Sequence, residues 1–166
     1  MRKITRAYMI CGTVLTVIAV AASLILPAGM LVSCSSAEYP LKDGYYSAEA
    51  AEFDSHGWKE YITICVSSGQ IIMVEYNAFN TSGFIKSWDM DYMRVMNAKD
   101  GTYPNAYTRY YGGKFMEKQG VEGIDFLSGS THSHFTFLQL AAAVLENAQL
   151  GDTATRFVVL EEIKAD

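Results

Sequence analysis

Hydrophobic and polar positions follow three different rhythms along the chain. From Tyr8 to Leu26 the residues are almost uninterruptedly apolar, directly after Arg2, Lys3 and Arg6. A basic end followed by an apolar run reads as an export signal rather than as part of a fold. From Asp43 onward the period drops to two. Tyr45 to Phe53 forms a Tyr- and Ala-containing first strand, His56-Gly57 a turn, and Trp58 to Val66 a second strand that alternates through Tyr61, Ile62, Ile64 and Val66. Ser67-Ser68-Gly69-Gln70 is a hairpin turn into a third strand, Ile71 to Tyr76, so the pattern predicts an antiparallel meander.

After Tyr76 the period lengthens to that of helices. Ser87 is the expected N-cap of a helix through Ala98, with Trp88, Tyr92, Val95 and Met96 on one face, stopped by Asp100-Gly101. Pro104 suits the first turn of a second helix towards Gln119, which Gly112-Gly113 is expected to weaken or bend. The third helix is the longest. Phe137, Leu138, Ala141, Ala142, Val144, Leu145 and Ala148 share a face, Thr131 and Ser133 are N-cap candidates, and Gly151 stops it. Arg156 to Ile163 has the content of a last strand. The expected fold class is α+β: a small antiparallel sheet with helices.

The apolar run changes the domain count and the compartment. Leu31-Val32-Ser33-Cys34 resembles a lipobox, which makes residues 1–33 a signal peptide, Cys34 the lipidated cysteine, 34–42 a lipid-anchored linker and 43–166 one domain. The run also has the length to span a bilayer, and an uncleaved anchor is the alternative. Either way the basic end stays in the cytoplasm and the domain faces outside it, at the cell membrane. The few residues between Cys34 and the domain reach about 20 Å. The part from Cys34 onward keeps 10 of the 13 basic residues and all 18 acidic ones, a formal charge of −8, which argues against nucleic acid as a partner. Cys65 is the lone cysteine of the domain and reads as a small core residue.

The chemistry concentrates at Asp125-Phe126-Leu127-Ser128-Gly129-Ser130-Thr131, directly before the longest helix. Small hydroxyl residues and a glycine at a helix start bring unpaired N–H groups and the positive end of the helix dipole together, an environment for phosphate. At these residues the chain resembles the FMN-binding domain family of bacterial extracytoplasmic proteins, whose signature is Asp-x-x-Ser/Thr-Gly-Ala-Thr. Asp125, Ser128, Gly129 and Thr131 match, with Ser130 where the family usually has alanine. Asp43-Gly44-x-Tyr46, His56-Gly57-Trp58-Lys59, Gly69-x-Ile71, Tyr76, Asn80-x-x-Gly83 and Lys86-Ser87-x-Asp89-x-x-Tyr92 are similar to landmarks of its small lipoprotein branch.

The resemblance implies FMN as cofactor, esterified through its phosphate to Thr131 by an extracytoplasmic flavin transferase. It implies further contacts from Ser128, Gly129 and Ser130, and a role for Asp125 in attachment. His132 is the histidine expected beside the phosphate or the ring. The implied function is electron transfer, with a membrane dehydrogenase or quinone as donor and no catalytic residue of the chain's own.

Other signals are weaker. His132-Ser133-His134 is a poor metal pair, because two positions on a helix point about 200° apart, and no metal is expected. Met90, Met93, Met96 and Met116 read as core packing. Tyr103, Tyr107, Tyr110 and Tyr111 are either half-buried filler or a stacking surface for a ring. A Walker loop, a Gly-x-Ser-x-Gly elbow and zinc-type cysteine pairs are missing from the sequence. The alternative function is a non-redox surface lipoprotein that binds a sugar, peptide or metal without flavin.

Overall fold

Alternation along the first half of the domain produces a meander. The computed structural model describes residues 40–161; the apolar run, Cys34 and Ile163 lie outside them. Strand β1 (Gly44–Ala50) pairs antiparallel with β2 (Lys59–Ser67), which pairs antiparallel with β3 (Gln70–Phe79). The β2–β3 turn carries Ser68 at φ 54° and Gly69 at φ 72°. Two left-handed central residues give the twist that antiparallel strands need across so short a turn. The Asp43 carboxylate accepts the Gly69 N–H at 2.9 Å, and those backbone bonds hold its carboxyl below the ordinary range.

Two strand limits differ from the alternation pattern. β1 stops at Ala50 instead of Phe53, because Asp54 accepts the backbone N–H groups of His56 and Trp58 and turns the chain there. β3 runs on to Phe79, whose ring meets those of Phe53 and Tyr61. The tail strand β4 (Arg156–Val158) is shorter than expected and lies parallel to β1, so the sheet is mixed, in the order β3-β2-β1-β4. On the β3 edge, the Gln119 side chain exchanges hydrogen bonds with both the N–H and the C=O of Ile71, covering groups an edge strand leaves open.

Three helices complete the α+β fold: α1 (Met90–Asp100), α2 (Pro104–Lys118) and α3 (Thr131–Leu150). α3 lies on β1 and β2, and α2 on β3. Between them sit Tyr46, Ala48, Ile62, Ile64, Ile71 and Tyr76 from the sheet and Tyr107, Tyr111, Phe115, Phe137, Leu140 and Val144 from the helices, all buried. Cys65 is buried as expected.

α1 begins at Met90 and not at Ser87. Asp89 is the N-cap, accepting the Tyr92 N–H at 2.9 Å, whereas the Ser87 hydroxyl is taken by the Asn77 amide at 2.8 Å in a short 3-10 turn, Lys86–Trp88. No residue of α1 is fully buried; Trp88, Met90 and Val95 are exposed, and among the described methionines Met96 alone packs on the core. The core-packing expectation for Met90 and Met116 is therefore corrected.

α2 runs unbroken through Gly112-Gly113. A Cβ on Gly112 would stand 3.5 Å from the Val74 side chain, an ordinary van der Waals contact. Tyr107 and Tyr111 are core residues and not a stacking surface. In α3 the buried face is rotated from the expected one: Leu140 and Ala143 point inward, while Ala142 is exposed and Leu138 and Leu145 are half-buried. Gly151, at φ 72°, ends it in the left-handed region.

Candidate functional site

The stretch before α3 folds as a turn on the end of α1. The Ser130 N–H donates to the Leu127 carbonyl at 3.0 Å, with Ser128 and Gly129 between them and Gly129 at φ 80°. A side chain at Gly129 would collide with the Asp100 carbonyl oxygen and come within 3.1 Å of the Thr102 methyl. Glycine is required twice over, by φ and by the close approach.

The N-cap of α3 is Ser130, one residue before the expected Thr131 and well before Ser133. It caps through its backbone, the His134 N–H donating to the Ser130 carbonyl at 2.9 Å, and its side chain makes no cap bond. Ser130 is 3% exposed, and its hydroxyl belongs to a closed set of bonds. It donates to the Leu127 carbonyl at 2.8 Å and lies 2.8 Å from the Tyr111 hydroxyl, which in turn accepts the Leu127 N–H at 3.0 Å. With one proton each, the consistent arrangement has Tyr111 donating to Ser130 and Ser130 donating to Leu127.

Replacing Tyr111 by phenylalanine is expected to leave the Leu127 N–H and the Ser130 hydroxyl short of partners. The expected cost is about 2 kcal/mol, read from denaturant unfolding.

Thr131, by contrast, is exposed, as are Asp125, Ser128, Gly129 and His132. The N–H groups of Thr131, His132 and Ser133 donate no hydrogen bond among the described residues, and no acidic side chain occupies the first turn of α3. Unpaired donors and an uncompensated dipole meet at the Thr131 hydroxyl. Asp125 stands near enough to Lys114 and His134 to raise the proton affinity of each.

The two histidines diverge as helix geometry requires. His132 is exposed and lines a cavity of about 290 Å³, whereas His134 is turned inward against the rings of Tyr111, Phe126 and Phe135. Burial holds the His134 ring below the ordinary histidine value, with Asp125 opposing. Nδ1 of His134 and Oγ1 of Thr102, both beside the turn, have no hydrogen-bond partner among the described residues.

Sequence reasoning missed Glu60. It shares the parity of Ile62 and Ile64 on β2, so the alternation itself placed a carboxyl on the buried face. It is 6% exposed. The Tyr76 hydroxyl lies 2.6 Å from Glu60 Oε2 and 2.9 Å from the Ser133 carbonyl of α3. One phenolic proton cannot serve both acceptors. Both bonds form when Tyr76 donates to Ser133 and a protonated Glu60 donates to Tyr76.

Burial, opposed by the Lys86 charge and by the Tyr76 bond, pushes the Glu60 carboxyl up to about 7. Folded protein thus binds more protons than unfolded protein between an ordinary pKa of 4.5 and about 7. The Glu60 contribution to stability is present below that window and is lost as pH rises through it, by at most about 1.4 kcal/mol per pH unit. Chemical unfolding at stepped pH is expected to show this slope, and Glu60→Gln to flatten it.

No family model matches the chain. Over 123 residues, which are 74% of the chain and 86% of the relative, it is 34% identical to the 15 kDa lipoprotein of Treponema pallidum (strain Nichols). The chain belongs to this family of small bacterial lipoproteins. The crystal structure of the CPE2226 protein from Clostridium perfringens is similar as well, at 39% identity and a TM-score of 0.70, covering 73% of this chain and 99% of that one. The CPE2226 protein thus shares this fold. Among the described residues no helix is long and apolar enough to cross a membrane.

Proposed function

We propose that this lipoprotein carries FMN, esterified through its phosphate to Thr131, and passes electrons at the outer face of the cytoplasmic membrane. The contrast between positions 130 and 131 carries the reading. Ser130 is buried with its hydroxyl engaged at both ends, while the next hydroxyl stands exposed at the start of a 20-residue helix among free N–H groups. A phosphate at Thr131 gains those donors and the helix dipole.

Ser128 adds an exposed hydroxyl, and Gly129 fixes the turn that presents it. A carboxylate beside a phosphate is repulsive, so Asp125 belongs to attachment by an extracytoplasmic flavin transferase and not to electron transfer. Bound flavin supplies the redox chemistry, and the chain supplies retention and the electrostatic setting. Membership of a lipoprotein family supports lipid on Cys34. The short linker then keeps the domain near a membrane dehydrogenase or quinone as donor.

The test is the colour of full-length protein produced beside a flavin transferase and precipitated with acid. A yellow pellet supports an ester. A colourless pellet from a protein that was yellow in solution would mean reversible binding, and a protein colourless throughout would mean the flavin-free lipoprotein.

A further inference from the structure

An edge strand leaves a row of N–H and C=O groups free to pair, and β3 is the edge that lies against α2. Both ends of its row are covered. Gln119 takes the N–H and C=O of Ile71 at one end. At the other, the Asn77 side chain accepts the Ala78 N–H at 3.0 Å, and the Asn80 N–H donates to the Phe84 carbonyl at 3.0 Å. Ala78 and Asn80 therefore turn their N–H groups away from β2, and the alternation of an antiparallel ladder turns Val74 and Tyr76 the same way. Among the described residues no backbone group outside the sheet bonds the N–H or C=O of these two.

This uncovered middle opens on a cavity of about 350 Å³, whose facing wall is one side of α2, from Asn105 through Arg109 and Gly113 to Met116. Space is open around the Cβ position of Gly113, so nothing enters the groove from there. Trp88 and Met116 are exposed apolar parts of the lining. Charges of both signs stand in it as well. Arg109 and Glu75 line the cavity, and neither forms an ion pair among the described residues. The buried Asn77 amide donates to Glu75 at 3.2 Å and to the Ser87 hydroxyl at 2.8 Å, which fixes that part of the wall.

Main-chain donors and acceptors repeating along a strand match a second main chain, whereas the polar groups of a sugar or a planar ring do not repeat at that spacing. Unpaired charges of opposite sign suit a ligand that carries both. We propose that this groove binds a short peptide with free termini, which pairs its backbone with β3 at Val74 and Tyr76, sets its terminal carboxylate on Arg109 and rests its side chains on Trp88 and Met116. No residue from Asp125 to Thr131 lines the groove, so the site is independent of the flavin.

The experiment is a nuclear magnetic resonance titration of full-length, flavin-free, nitrogen-15-labelled protein in detergent micelles. Main-chain recognition tolerates many side chains, so a plain tripeptide, Ala-Val-Ala, serves as the probe. Two analogues accompany it: the same peptide with its carboxylate converted to an amide, and the same peptide N-methylated at the central residue, which removes one main-chain donor and blocks edge-to-edge pairing. The expected result is saturable movement of the Val74 and Tyr76 amide signals and slower hydrogen exchange at both. The C-terminal amide is expected to bind at least threefold more weakly than the acid, and the N-methylated peptide at least tenfold more weakly.

Arg109→Ala is expected to erase the difference between acid and amide. Gly113→Phe, which puts a ring into the groove from a position with room for its Cβ, is expected to weaken binding at least tenfold. Both variants are checked for folding by circular dichroism; should either not fold, the comparison of the three peptides on the unmodified protein decides. The absence of saturable shifts up to about 10 mM peptide, shifts that spare Val74 and Tyr76, equal binding of the N-methylated peptide, or equal binding of acid and amide would overturn the proposal.

Discussion

Replacing Thr131 by alanine is expected to eliminate covalent flavin, while Ser130→Ala keeps it. The two residues are adjacent hydroxyls, and sequence alone cannot choose between them. The fold separates them. Ser130 is buried and bonded to Tyr111 and Leu127, whereas Thr131 is exposed at the first helical position. An acceptor must reach a transferase, and only Thr131 can do so without unfolding the turn.

Stability should respond in the opposite sense. Thr131 makes no side-chain hydrogen bond among the described residues, so its loss costs within about 0.5 kcal/mol. Ser130→Ala breaks bonds worth about 1 kcal/mol. Intact mass after production beside a flavin transferase reads the first pair of outcomes, and urea unfolding the second. Flavin retained in Thr131→Ala and lost in Ser130→Ala would reverse the assignment.

Gly129→Ala is expected to damage both fold and flavin loading. A left-handed φ of 80° strains any residue with a Cβ, and here that carbon also runs into the Asp100 carbonyl, a backbone atom at the C-terminal end of α1 that cannot rotate away. Strain and overpacking together should cost about 3 kcal/mol. The turn would open, carrying Thr131 out of register with the α3 N-terminus, so that flavin loading falls even in the fraction that stays folded. Gly123→Ala makes a fair control. It shares a positive φ, at 69°, but has open space around its Cβ, so it pays strain alone and sits away from the turn.

The alternation of β2, the hairpin turn into β3 and the glycine stops of α1 and α3 were legible because they depend on neighbours in sequence. Errors arose where a distant residue decided the matter. Ser87 is as good a cap in isolation as Asp89, but Asn77, ten positions back, takes its hydroxyl. Three residues of β4 carry no sign that they will pair parallel to β1.

At the site, the helix start and its small hydroxyl residues could be read directly, whereas the locking of Ser130 depends on Tyr111, nineteen residues upstream. Glu60 was readable in principle, since a carboxyl with the parity of Ile62 and Ile64 must be buried. Its partner Tyr76 comes from β3, the Ser133 carbonyl that Tyr76 also reaches comes from α3, and only folding brings the three together.

The central claim, that Thr131 holds FMN, is tested most directly on the unmodified full-length protein produced beside an extracytoplasmic flavin transferase. Flavin fluorescence is read in an SDS gel and the intact mass of the same sample is measured. The account predicts a fluorescent band whose mass exceeds that of the polypeptide and its lipid by one esterified FMN. A dark band with no added mass would contradict it.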